Sequence, residues 1–195
     1  MKRGYLYTVL FMVILSAVFT FALAASYEGF KPAINLKAAL QQERAVLDAF
    51  GLDQGLSNEE ASQKYDEVIR EGEIAGLTVP VYEEDGQVMG YALPIEGAGL
   101  WGTIRGYLGI NARLDQATGL VFTEQNETPG LGGRIDEPQF KEQFRGLPIA
   151  QGDAIRYGRN QGVQLDAVTG ATQTSSAILR ILNSALDDFF AGEGN

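Results

Sequence analysis

Three patterns of apolar and polar positions succeed one another along the chain. From Tyr5 to Ala25 no charged residue occurs, and Leu, Val, Phe, Ile and Ala dominate. About 20 residues of helix, at about 1.5 Å each, cross a hydrocarbon core of about 30 Å, so this stretch predicts a membrane-spanning helix. Apolar residues then recur with helical spacing at Leu36, Ala39, Leu40, Ala45, Val46, Leu47 and Phe50, which predicts a helix over Ile34–Phe50 stopped at Gly51. The charged stretch Glu59–Arg70 reads as a second, exposed helix. Beyond it the pattern becomes that of strands and turns. Leu77–Tyr82 and Val88–Ile95 predict two strands joined at Glu84–Gly86, and Leu100–Ile110 and Leu120–Glu124 two more across the turn-rich Asn111–Gly119. A short helix is expected at Pro138–Phe144, late strands at Ala154–Tyr157 and Gly162–Val168, and a last helix at Thr174–Phe190. In that helix Ile178, Ile181, Leu182, Ala185, Leu186 and Phe189 form a stripe suited to packing on a sheet.

Strands in a run with helices at both ends predict an α+β fold. The architecture expected is an N-terminal transmembrane helix followed by one antiparallel-sheet domain with flanking helices, the sheet covered on one side. The expected division is an anchor over residues 1–28 and a domain over residues 29–195. Lys2 and Arg3 precede the apolar run and Glu28 follows it, so the positive-inside rule leaves the N-terminus in the cytoplasm and exports the domain. Ala22-Leu23-Ala24 has the small-x-small pattern of a signal-peptidase site, but the run exceeds the roughly 7–15 apolar residues of a signal peptide, which favours a retained anchor.

Composition removes several chemistries. A net charge of −10 without a basic cluster argues against nucleic acid as a partner. The chain has neither cysteine nor histidine, which excludes thiolate metal sites, iron–sulfur ligation, Ser-His-Asp catalysis and axial His ligation of haem. No catalytic acid or base and no metal ligands are expected, so any redox chemistry needs an organic cofactor.

Candidate chemistry lies in three strings. Asp166-Ala167-Val168-Thr169-Gly170-Ala171-Thr172 reads as a strand end and small-residue turn that enters the last helix, with Thr174, Ser175 and Ser176 close behind. A helix start offers unpaired N–H groups and partial positive charge to a phosphate, and one hydroxyl could form an ester with it. Ser and Thr at a helix start also serve simply as caps. Glu127-Thr128-Pro129-Gly130-Leu131-Gly132-Gly133 is either a tight reversal or a loop lying flat on a planar ligand, with Glu127 and Thr128 as polar contacts and Leu131 as an apolar one. Gly97-Ala98-Gly99-Leu100-Trp101-Gly102 places the only tryptophan of the chain either in a core or beside a ligand.

The first string resembles the flavinylation motif of the FMN-binding domain family, which includes the C component of the sodium-pumping NADH:quinone oxidoreductase Nqr and the G component of the Rnf complex. The second resembles that family's Glu-Thr-Pro-Gly-Leu-Gly loop, with Gln125 where the family pattern has His. The third resembles the Gly-Leu-Trp-Ser segment of the Nqr C component, with Gly102 in place of Ser. The resemblance implies FMN bound covalently as a phosphoester on Thr172, with Asp166, Thr169, Gly170, Ala171 and Thr174 around it. It implies a flavin ring against Glu127, Thr128, Gly130, Leu131, Gly132, Leu100 and Trp101. The implied role is an electron relay within a membrane complex of NADH:quinone or ferredoxin:NAD type. The implied partners are its other subunits and an exported flavin transferase that uses FAD and magnesium. A stand-alone exported FMN-dependent reductase and a cofactor-free anchored interaction domain are the alternatives.

Overall fold

A computed structural model of the protein describes residues 2–160 and 162–193. The apolar N-terminal pattern and the helix predicted after it form one continuous helix, α1 (Lys2–Ala49), with Pro32 inside. Strong helix formers lie on both sides of that proline, and the loss of one intrahelical bond does not end the helix. The chain divides into two compact units, Met1–Leu40 and Gln41–Asn195. In the first, helical throughout its described residues, Leu10, Phe11, Ile14, Phe19 and Phe21 are all more than half exposed. It holds a helix long and apolar enough to cross a membrane.

The second unit begins with the last turns of α1. Next comes α2 (Asn58–Val68), opened by a capping box in which Ser57 Oγ accepts from Glu60 N and Glu60 Oε2 accepts from Ser57 N. Among the described residues, the strands β1 (Ile69–Ile74), β2 (Leu77–Glu84), β3 (Gln87–Ala98), β4 (Thr103–Asn111) and β5 (Ala117–Glu124) form an antiparallel sheet in chain order. A 3-10 turn (Gly132–Asp136), the short helix α3 (Pro138–Lys141) and a second 3-10 turn (Glu142–Phe144) follow. A hairpin of β6 (Gly158–Asn160) and β7 (Val163–Leu165) then leads to α4 (Thr172–Glu193).

Alternation along the strands sorts the core into two layers. Leu93, Ile95, Ile104, Leu108, Ile110, Leu120 and Phe122 face α4 and the α3 region, meeting Ile178, Ile181, Leu182, Leu186, Phe189, Phe140 and Phe144. Ala92, Tyr107 and Val121 point the other way, against the end of α1 (Ala45, Val46, Leu47, Ala49) and α2 (Ala61, Val68). The sheet is therefore covered on both faces, where one was expected. The apolar turns of α1 at Ala45–Ala49 supply the second cover, and Thr118 Oγ1 ties α1 down by donating to Ala49 O at 2.8 Å.

Two local expectations also change. Strand β1 starts inside the stretch expected to be helical to Arg70: the chain turns extended at Ile69, where an apolar side chain is buried again. Ala154–Tyr157 is not a strand. Asn183 of α4 occupies both backbone groups of Ile155, accepting from its N–H at 2.7 Å and donating to its carbonyl at 3.0 Å, so a side-chain amide replaces a ladder.

Candidate functional site

The three strings converge on a cleft of about 410 Å³ lined by Leu100, Trp101, Glu127, Thr128, Leu131, Gly132 and the start of α4, Gly170–Thr174. Leu100 and Trp101 were expected to begin a strand over Leu100–Ile110, but they lie at the tip of the β3–β4 turn, closed by Gly99 N donating to Gly102 O at 2.8 Å. A turn tip leaves their side chains open: Trp101 is 68% exposed and Leu100 47%. The loop after β5 closes on Thr128 O, which accepts from Leu131 N at 3.1 Å and Gly133 N at 2.9 Å. Gly130, at φ 74, supplies the left-handed residue of that reversal and does not line the cleft. Leu131 is left 47% exposed.

Glu127 is the polar centre of the arrangement. Only 5% exposed, it accepts through Oε1 from the backbone N–H groups of Leu100 at 2.8 Å and Trp101 at 3.0 Å. Through Oε2 it accepts from Thr174 Oγ1 at 2.5 Å. Its own N–H donates to Gln125 Oε1 at 2.9 Å. Gln125, which stands where the family pattern has His, thus holds the loop through an amide oxygen.

The start of α4 is fixed from behind. Ser175 Oγ accepts from Val168 N at 3.1 Å, and Tyr157 donates its hydroxyl to Ser175 O at 3.0 Å. Burial pushes the Tyr157 hydroxyl up to about 12, so it is a neutral donor at ordinary pH. Gly170, at φ 79, turns the chain into the helix; Ala171 is buried, and Thr172 and Gln173 are exposed on the cleft. Gln173 is a wall residue that the motif reading did not name; its place directly after Thr172 was the available signal.

Not every expected residue faces this cleft. Asp166 and Thr169 line a second one of about 380 Å³ with Arg134, Gln143 and Gln164. There Asp166 N donates to Gln143 Oε1 at 2.6 Å, Gln143 Nε2 donates to Asp166 O at 3.4 Å, and Gln164 Nε2 donates to Asp166 Oδ1 at 2.9 Å. The 166–172 string is therefore split between two clefts.

The cleft suits a flat, partly apolar ligand with an anionic tail. Its volume falls within the roughly 300–1,000 Å³ of small-molecule sites. Three exposed apolar side chains flank it, and a helix start lies at one end.

The FMN-binding domain family matches residues 99–187, which contain the first two strings and the third from Gly99 onward. The G component of the ion-translocating oxidoreductase complex of Methanosarcina acetivorans is 33% identical over 94% of this chain and 93% of its own length. The C component of the Na(+)-translocating NADH-quinone reductase of Pseudomonas aeruginosa is 31% identical over 84% of this chain, which spans 61% of that relative. The crystal structure of the corresponding C component from Parabacteroides distasonis superposes with a TM-score of 0.62 at 26% identity, covering 80% of this chain and 94% of that one. NqrC of Shewanella oneidensis shares the fold with a TM-score of 0.66 at 20% identity, covering 78% and 96%. The chain belongs to the FMN-binding domain family, and FMN is the ligand that the family's name states.

Proposed function

We propose that this chain carries FMN as a phosphoester on Thr172 and relays electrons as a membrane-anchored member of an Nqr- or Rnf-type redox complex. The observation that carries the reading is the position of Thr172. It is an exposed hydroxyl on the first residue of α4, at the lip of a cleft whose walls are the Leu100–Trp101 turn and the Glu127–Gly132 loop. Backbone N–H groups of the α4 start would stabilise phosphate charge. Trp101, Leu100 and Leu131 would flank the ring and keep water from its faces, and Thr128 and Gln173 would offer polar contacts at the rim. A bound flavin would supply transfer of electrons singly or in pairs.

The partners follow from the same likeness. Relatives named as subunits of ion-translocating complexes support assembly with other membrane subunits. A flavin transferase would deliver FMN from FAD to the Thr172 hydroxyl and release AMP. Lys2 and Arg3 ahead of the apolar run support a cytoplasmic N-terminus and a flavin domain on the outer face. A covalent link would prevent loss of cofactor there.

The test is co-expression with a flavin transferase, denaturation, and a search for flavin fluorescence that migrates with the polypeptide. The wild-type chain and Thr174→Ala should retain it and Thr172→Ala should lose it. Flavin retained by Thr172→Ala would overturn the assignment.

A further inference from the structure

We propose that Glu127 is a positioning residue and not a ligand of the flavin: its carboxylate assembles the ring slot from three separate segments before any flavin is attached. The slot then takes an isoalloxazine ring without help from Thr172. This rests on the reading that the cleft receives a flavin.

Both carboxylate oxygens are already occupied by the protein. Oε1 takes the N–H groups of Leu100 and Trp101, 27 and 26 residues away, and Oε2 takes the hydroxyl of Thr174, 47 residues away. A carboxylate offers about four acceptor positions, so three bonds leave little for an incoming donor.

Space around the carboxylate is reserved as well. A Cβ on Gly99 would stand 2.5 Å from Glu127 Oε1, and one on Gly132 would stand 2.8 Å from Oε2 and 2.5 Å from Thr174 Oγ1. The β3–β4 turn and the loop after β5 thus each bring a residue without a side chain against the same carboxylate. The side chains left facing outward are the apolar Leu100, Trp101 and Leu131. Every bond in this arrangement is internal to the chain, so the slot does not wait for the phosphoester.

The experiment uses the full chain in detergent, made without a flavin transferase, and riboflavin as the probe, since it has the ring and no phosphate. Binding is read from riboflavin fluorescence and from quenching of Trp101, the sole tryptophan. The wild-type apoprotein, with no bond to Thr172, should bind riboflavin saturably. Glu127→Ala should weaken binding by about tenfold or more, because two N–H groups of the turn lose their shared acceptor. Glu127→Gln should stay within about threefold of wild type, its amide oxygen still accepting from Leu100 and Trp101. If Glu127→Ala loses its far-UV circular dichroism, Thr174→Val replaces it; cutting only the link to α4, it should weaken riboflavin by about threefold or more.

A folded Glu127→Ala, or in its place Thr174→Val, that binds as tightly as wild type overturns the proposal. So does Glu127→Gln as weak as Glu127→Ala, since the charge itself would then be what the flavin needs. A wild-type chain that accepts covalent flavin when a transferase is present, but whose apoprotein binds no riboflavin, overturns this inference alone. Absence of both covalent flavin and riboflavin binding overturns the flavin reading, and this inference with it.

Discussion

Replacing Gly132 by alanine puts a methyl group where the Glu127–Thr174 bond already lies. The added Cβ would be 2.5 Å from Thr174 Oγ1, 2.8 Å from Glu127 Oε2 and 3.0 Å from Glu127 Cβ. Ordinary contact is about 3.5–4.0 Å, so the shortfall approaches 1 Å on two sides. Neither neighbour can swing into water, since Thr174 is 1% exposed and Glu127 is held by two backbone N–H groups. Overpacking of this kind costs about 1–3 kcal/mol. Separating the carboxylate from its hydroxyl adds about 1.5–3 kcal/mol. Gly132 does not sit at positive φ, so alanine is otherwise accepted there and returns about 0.4–1 kcal/mol by stiffening the unfolded chain. The net expectation is a loss of about 1.5–5.5 kcal/mol, or roughly 3–22 °C in thermal midpoint for a unit of this size. Gly130→Ala is the control. Nothing lies within 4 Å of its Cβ, and its φ of +74 costs only about 1–2 kcal/mol. Melts of both apoproteins in detergent, followed by far-UV circular dichroism, decide the matter. If Gly132→Ala melts at or above Gly130→Ala, the packed carboxylate at the cleft is wrong.

Two further outcomes follow from other parts of the domain. Ser57→Ala removes the cap of α2 and should cost about 1 kcal/mol in urea unfolding, with Ser57→Asp recovering most of it; equal stability of all three would count against the capping box. Tyr157 has its ionisation pushed up to about 12 by burial, above the usual value of about 10, so the unfolded chain loses that proton first as pH rises. Its contribution to stability is whole below about pH 10 and is lost on rising to about pH 12. Tyr157→Phe should therefore flatten this part of the alkaline decline, and a decline unchanged from wild type would refute it.

The legible parts of the fold were those with a clear period. The stripe of α4 and the paired strands β3 and β4 follow directly from apolar spacing, because one buried face leaves one pattern. Strand β1 was not legible: Ile-Arg-Glu-Gly-Glu-Ile is an edge strand with one buried residue, and its charges continue those of α2. The second cover of the sheet was hidden because Ala92, Tyr107 and Val121 look unremarkable in isolation and need the end of α1 beside them. The cleft is made of a turn tip, a loop and a helix start, where periodicity is silent, so only the strings themselves pointed to it. They named its walls, but not the bonds of Glu127, which join residues 26, 27 and 47 positions apart.

The split of the 166–172 string carries a prediction of its own. Gly170, at φ 79, reverses the chain between Thr169 and Ala171, so the residues before it face the cleft with Arg134 and those after it face the cleft with Trp101. Gln143 grips the first half by both backbone groups of Asp166 and donates to Phe140 O at 3.3 Å, fixing the strand end to the α3 region. Its side chain touches neither Thr172 nor the ring slot. What it sets is the direction from which the chain enters the turn, and hence where Thr172 stands. Gln143→Ala should slow covalent flavin incorporation by a co-purified transferase several-fold, since about 1 kcal/mol of lost anchoring is about a fivefold change in the competent population. Riboflavin binding to the same apoprotein should be unchanged, because Glu127 and its three donors are untouched. Equal incorporation rates in Gln143→Ala and wild type would mean that the turn holds its geometry through Gly170 and the Val168–Ser175 bond alone.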